Sequence, residues 1–167
     1  MRLCETVDIA GPGSLFPGFV QMPVLFHVGL EVDLALGRPN PFSFGGARNG
    51  TFDPHPPGIV RLSRHPFLLA LAIWAFAHIV PNGDLAHVML FGAFGLFAVF
   101  GRKIIDRRKR AQMRPQWEKL LSEVGRSPLF AGTAASPHFM TRIAVAVFLF
   151  VGLVLMHPWL FGVSPLS

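Results

Sequence analysis

The sequence has few charged residues, one cysteine and no tyrosine. Charged residues make up 14% of the 167 positions and hydrophobic residues 51%, and the mean hydropathy is +0.49. An ordinary soluble domain has roughly a quarter of its residues charged, because they cover its surface. The shortage of charge therefore excludes a typical soluble domain. The 17 phenylalanines, with no tyrosine, suit lipid or a dry interior, so the composition predicts a membrane protein.

The single cysteine, Cys4, excludes an internal disulfide and a cysteine-rich metal site. The first residues lack the apolar stretch of a cleavable signal peptide, so none is predicted. The sequence also lacks a Ser-His-Asp arrangement, a glycine-rich phosphate loop and paired carboxylates, and no catalytic residue is assigned. No internal repeat is visible. We expect a single domain over residues 1–167, with a polar stretch at residues 1–18.

Basic residues outnumber acidic ones by 15 to 9, and eight of the 15 lie in one run, Arg102–Lys119. This run follows an apolar segment directly, which is where positive charge sets the orientation of a membrane protein. We therefore do not expect a nucleic-acid partner. With a loop over residues 102–119 in the cytoplasm, Arg61, Arg64, Arg126 and Arg142 fall on the same side.

Three apolar segments predict membrane-spanning helices in an all-α integral membrane bundle: Pro66–Val80, Leu85–Gly101 and Ile143–Met156. Pro66–Val80 is short, since 15 residues of helix cover only ~22 Å. The first two segments are joined by "PNGD", a turn by composition, and should form an antiparallel hairpin. Phe19–Leu36 is a fourth candidate, weakened by Glu31 and Asp33 because charge is costly at membrane depth. It is either a span, which would raise the number of spans from three to four, a re-entrant segment or an amphipathic surface helix.

Two further elements are predicted outside these spans. Residues 37–58 are rich in proline, glycine and asparagine and predict a loop. Residues 107–127 predict a short helix at the membrane interface. Within the second span, Gly92, Gly95 and Ala98 form a stripe of small residues that favours close helix packing.

Histidines near the turn of the hairpin are candidate ligands. His78 follows Trp74 by four residues and so shares its helix face. His87 lies one turn into the next helix, and Asn82 and Asp84 between them could orient an imidazole. A neutral imidazole in an apolar site is a ready iron ligand. A helix-bridging hydrogen bond, or a solvated His87, explains the same pattern without a ligand.

His157 is a candidate for an opposite ligand. It lies ~22 Å above Arg142 along its span, while His78 lies ~18 Å above Pro66, so the two histidines reach a similar depth.

The stretch "RLSRHP" places Arg61, Arg64 and His65 at the cytoplasmic entrance of the first span, with Pro66 at a first helical position. Two interpretations stay open. The cations anchor the helix end by positive-inside charge and snorkelling, or they form a clamp for a phosphate or carboxylate. We expect Arg64 and His65 to bond a carboxylate or backbone carbonyls there.

The motifs "GIVRLSRHP" and "WAFAHIVPNGDLAHVMLFGAFG" resemble the NnrU family of bacterial membrane proteins, over roughly residues 52–130. The resemblance implies the bacterial inner membrane and an association with denitrifying metabolism. The same domain is similar to plant 15-cis-ζ-carotene isomerase, a haem b protein with histidine-held iron. That similarity assigns the iron to His78. The plant enzyme has a cysteine where this chain has Ala75, and its early histidine ligand has no obvious equivalent here, which leaves His27 and His157 as candidates.

A more distant similarity is to isoprenylcysteine carboxyl methyltransferases, which also have an "RHP" before a helical hairpin. Those enzymes follow it with paired glutamates, whereas the corresponding region here has Glu118 alone. Two functions therefore remain. The first is a haem-dependent isomerase or redox factor acting on an apolar substrate. The alternative is a non-enzymatic accessory or assembly module.

Overall fold

A computed structural model describes residues 37–44, 48–80, 84–132 and 138–162. Within these ranges the chain forms four α-helices and two short 3₁₀ helices, and no strand. The predicted all-α class is confirmed. In chain order the elements are η1 (Asn49–Thr51), η2 (Gly58–Arg61), α1 (Pro66–Ile79), α2 (Leu85–Met113), α3 (Pro115–Arg126) and α4 (Phe139–Phe161).

Helices α1 and α2 form the predicted antiparallel hairpin. Proline at the first position of α1 suits a helix start, because its missing N–H has no intrahelical acceptor there. Asp84 begins α2 as its N-cap. Gly95 of α2 faces the Phe76 ring near the turn, and Gly101 faces Leu68 further along. These contacts fix how α1 and α2 are aligned along their length. Leu68 and Ala98 are among the residues buried between the two helices.

Helix α2 is longer than the sequence indicated. A loop was expected from Arg102, but residues 102–113 continue the helix to Met113. Lysine and arginine are good helix formers, and no proline or glycine interrupts this stretch. The break comes at Arg114, whose φ of 51° is left-handed, because a residue before proline avoids the helical region. The expected end of the helix at Gly101 is therefore wrong, and the short helix predicted within residues 107–127 begins only at Pro115.

Helix α3 is amphipathic and packs its apolar face on Phe42 and on η2. Trp117 and Val124 of α3 are buried with Ile59, Val60 and Phe42. Phe42 is 0% exposed, and its ring meets that of Trp117 edge-on at 5.2 Å between centroids. The described part of the segment predicted as a loop is irregular apart from η1 and the start of η2, and its Phe42 forms part of a core.

Helix α4 is mostly exposed and apolar. Pro158 lies inside it, and the helix ends at Gly162 in a left-handed conformation with φ 75°. Glycine adopts this conformation without strain.

Two helices are long and apolar enough to cross a membrane, Leu85–Met113 and Phe139–Leu160. Only 17% and 6% of their most apolar windows are buried within the protein, so these helices are not the covered core of a soluble fold. They indicate a membrane protein. At 14 residues, α1 is shorter than the ~20 that a full span needs. Phe19–Leu36 lies outside the described residues, and the number of spans stays a prediction.

Gly92 and Gly95 of α2 form a matched pair for testing how α1 and α2 are aligned. A Cβ added at Gly95 would lie 3.1 Å from Cζ of Phe76, whereas one at Gly92 would meet nothing within 4 Å. We expect Gly95→Leu to lower the free energy of unfolding by roughly 1–3 kcal/mol through overpacking. Gly92→Leu should be neutral or stabilising, because leucine favours helix. Unfolding of both variants in a denaturing detergent measures this, and equal stabilities would contradict the register.

Candidate functional site

Polar side chains meet at the end of the hairpin where α1 begins. We call Asn40, Ser43, Arg64, His65 and Asp106 the charged-end cluster. His65 is 1% exposed, and its Nε2 lies 2.8 Å from Oδ1 of Asp106. Its Nδ1 lies 2.9 Å from the Ser43 hydroxyl. A neutral imidazole satisfies both contacts if Nε2–H donates to Asp106 and the Ser43 hydroxyl donates to Nδ1.

Asp106 also binds Arg64. Nη2 of Arg64 donates to Oδ2 at 2.8 Å, and Nε donates to Oδ1 at 3.4 Å. Nδ2 of Asn40 donates to the backbone oxygen of Arg64 at 2.9 Å. The carboxylate comes from α2 but lies at the amino end of α1, where negative charge is favourable. The cluster thus ties α1, α2 and the preceding loop together.

Of the three residues predicted at this entrance, the structure brings two together. Arg64 and His65 share Asp106, whereas Nε of Arg61 donates to the backbone oxygen of Ser127 at 2.8 Å. Sequence reasoning missed Asp106, Ser43 and Asn40. Asp106 carried a usable signal, because it is the first acidic residue in a strongly basic run. Asn40 and Ser43, in the segment predicted as a loop, had no sequence feature that marked them.

The environment of His65 predicts a pH dependence of stability. Burial lowers the pKa of His65, against the opposing effect of the Asp106 hydrogen bond. The unfolded chain, with a histidine pKa of about 6.5, then binds the proton more tightly than the folded protein. The free energy of unfolding should fall as the pH drops below about 6.5, because the unfolded chain then takes up a proton at His65. Above that pH the stabilising contribution of neutral His65 is fully present.

Thermal unfolding of detergent-solubilised protein between about pH 8 and pH 5.5 spans that value. His65→Gln should flatten the slope of melting temperature against pH, while His55→Gln, at an exposed position, should keep it. A slope unchanged in His65→Gln would show that another group causes the dependence.

A second group of side chains lies at the opposite end of the hairpin. We call Trp74, His78, Asp84, His87 and Phe91 the turn-end cluster. Nδ1 of His78 lies 2.8 Å from the backbone oxygen of Trp74. Since that oxygen can only accept, Nδ1 carries the proton, and the lone pair is on Nε2. The half-buried imidazole lies 4.8 Å from the Trp74 ring and 5.0 Å from the Phe91 ring, between centroids.

Asp84 and His87 bind each other on the first turn of α2. Oδ1 of Asp84 accepts from the backbone N–H groups of Ala86 and His87 at 3.1 and 3.2 Å, and its other oxygen contacts Nδ1 of His87. The hydrogen bond from the His87 N–H is the main cause that lowers the pKa of the Asp84 carboxyl. The His87 ring stacks on Phe91 at 6.0 Å, so Phe91 contacts both histidines.

The remaining predicted ligand, His157, lies on α4. Asn82 and His27 lie outside the described residues. Across the ranges that the structure describes, no three histidine, cysteine or acidic side chains converge as a metal-ion site would require. This does not bear on haem, because the porphyrin supplies four of the iron ligands and the protein only the axial ones.

Comparison with known proteins identifies one family. The family described as NnrU protein matches residues 22–165, which includes every residue of both clusters. No curated protein and no solved structure matches the chain significantly. The resemblance noted in the "RHP" and "NGD" motifs is confirmed for NnrU, while the similarity to the plant isomerase and to the methyltransferases stays a prediction. The match covers most of the sequence, and the chain therefore belongs to the NnrU family.

Proposed function

We propose that the protein is an integral membrane haem protein in which His78 would hold the iron. The observation that carries this proposal is the hydrogen bond between Nδ1 of His78 and the Trp74 carbonyl. A backbone oxygen that holds Nδ1–H orients the ring and raises the basicity of Nε2, as it does for metal-bound histidines generally. In this tautomer Nε2 of His78 carries the lone pair with which the ring would bind iron.

The surroundings of His78 fit a porphyrin chemically. Trp74 and Phe91, whose rings lie beside the His78 imidazole, would supply apolar contacts to a macrocycle, and His157 is the candidate for a second histidine that would hold the iron. His87, which is bound to Asp84, stacks on Phe91 at the turn end of α2. When bound, haem b would supply one-electron chemistry or a Lewis-acidic iron. The residues of this chain would orient the ring and limit access of water.

The reaction we propose is isomerisation or redox chemistry on an apolar substrate. Its support is the exposed apolar surface near the turn, including Met89 and Leu90 of α2, which are 67% and 53% exposed. An apolar substrate dissolved in the bilayer would reach the site along this surface. The link to denitrifying metabolism belongs to the same proposal.

The alternative is a non-enzymatic module that assembles with other membrane proteins. The observation that favours it is the large apolar area of α4, where Phe148 and Trp159 are 76% and 91% exposed. Aromatic rings of this kind fit a partner helix as well as lipid. Such a module needs no cofactor, so haem content separates the two functions.

Haem content is measured on protein expressed in haem-sufficient cells and purified in mild detergent. We expect a Soret band and close to one haem per chain by the pyridine haemochrome assay. Protein that purifies colourless under these conditions, and stays so after incubation with hemin, would contradict haem binding and favour the assembly module.

We also propose that the protein lies in the bacterial inner membrane, with residues 102–119 in the cytoplasm. The support is the excess of positive charge at this end of the hairpin. In a Cys4→Ser background, Lys109→Cys should react with a membrane-impermeant thiol reagent only after the inner membrane is opened. A cysteine that reacts from the periplasmic side in intact spheroplasts would show the opposite orientation.

A further inference from the structure

A groove lined by basic side chains lies between α2 and α3 and shares Arg64 and Asp106 with the charged-end cluster. It has a volume of about 560 Å³, and four basic residues line it with one acidic residue, Asp106. The basic residues are Arg64, Lys103, Arg107 and Arg110. We infer that this groove binds the phosphate headgroup of an anionic phospholipid.

The charges in the groove are arranged to receive an anion. Lys103, Arg107 and Arg110 are spaced by four and three residues, so they stand on one face of α2, where like charges repel. Asp106 is engaged by Arg64 and His65, and Arg110 pairs with Glu118. In the part of the chain that the structure describes, no carboxylate pairs with Lys103 or Arg107. A phosphate between them would relieve this repulsion.

The groove continues into an apolar surface. Phe100 lies on the same face of α2, three residues before Lys103, whose Nζ lies 6.0 Å from the Phe100 ring centroid. Phe100 and Phe97 are 54% and 63% exposed, and they extend this surface toward the apolar half of the helix. Trp117 and Leu121 of α3 add apolar wall to the groove itself.

A charged headgroup site followed by an apolar path matches a phospholipid. A soluble phosphate compound would use the cations but leave the phenylalanines uncovered, and this favours the lipid.

Native mass spectrometry in a neutral detergent counts bound molecules by mass. The probes are phosphatidylglycerol, phosphatidylcholine with the same acyl chains, and glycerol 3-phosphate at equal concentration. The test variant is Lys103→Gln/Arg107→Gln. Its matched control is Arg108→Gln/Lys109→Gln, which removes the same charge from residues of α2 that do not line the groove. Neither variant alters the charged-end cluster, so both should fold.

We expect one tightly held phosphatidylglycerol on the wild type and on the control. The test variant should bind it at least about tenfold more weakly, the equivalent of 1.4 kcal/mol. Phosphatidylcholine and glycerol 3-phosphate should not compete. Equal retention by both variants would overturn the inference. Displacement of the lipid by glycerol 3-phosphate at equal concentration would overturn it too, and would assign the groove to a soluble phosphate compound.

Discussion

Asp106→Ala is expected to lower the free energy of unfolding by about 2–3 kcal/mol, since it leaves a buried donor without an acceptor. His65 is 1% exposed and Asp106 is 29% exposed, so water cannot readily replace the carboxylate at Nε2. Arg64, at 37% exposure, regains hydration and contributes less to the loss. Titration with a denaturing detergent, followed by loss of helical signal, measures the change.

Two control variants separate this effect from simple loss of charge. Glu118 also binds an arginine, Arg110, but the two side chains are 59% and 63% exposed. Glu118→Ala should therefore cost less than about 1 kcal/mol. Asp106→Asn keeps an oxygen that can accept from His65 and should fall between the two. If Asp106→Ala is no more destabilising than Glu118→Ala, the cluster does not hold the hairpin together.

His78→Ala is expected to abolish the Soret absorbance or weaken it strongly, because it removes the histidine that we propose would hold the iron. His87→Ala should only perturb the position or intensity of the band. Its imidazole is bound to Asp84 and reaches His78 only through Phe91. Spectra of both variants are compared at equal protein concentration, with helical content measured in parallel.

The spectra of His78→Ala and His87→Ala together test whether His78 holds the iron. Loss of haem from His78→Ala with unchanged helical content supports ligation by His78. Equal loss from both variants would show that the turn-end cluster acts as a packing unit. Full retention by His78→Ala would assign the iron to another residue and leave His78 as a helix-bridging group.

The hairpin was predictable from the sequence because local signals agree with the tertiary structure. Pro66 starts α1, the apolar runs form both helices, and Asp84 provides an N-cap that the motif "NGD" already contains. The stripe of small residues was only partly informative. Gly95 and Ala98 are buried against α1, but Gly92 faces open space, because three-residue spacing drifts around a helix of 3.6 residues per turn.

The charged-end cluster was less predictable because its contacts join distant parts of the chain. His65 meets a serine 22 residues before it and an aspartate 41 residues after it. Neither spacing follows from a helical repeat. We expected the helix to end at the basic run because we took the first charged residues as its end. In the structure they mark only the point where one continuous helix passes from apolar to charged sequence. Phe42 was likewise hidden in a proline-rich and glycine-rich stretch, yet it is fully buried.

The most direct test of the proposed iron ligand is imidazole rescue of His78→Gly. This variant removes the side chain and leaves room for free imidazole beside the Trp74 and Phe91 rings. The protein is purified without imidazole, mixed with hemin, and titrated with imidazole while the Soret region is recorded. We predict weak haem binding at first, followed by saturable recovery of a spectrum like that of the wild type. A His78→Gly protein that holds haem with the wild-type spectrum before any imidazole is added would contradict the account.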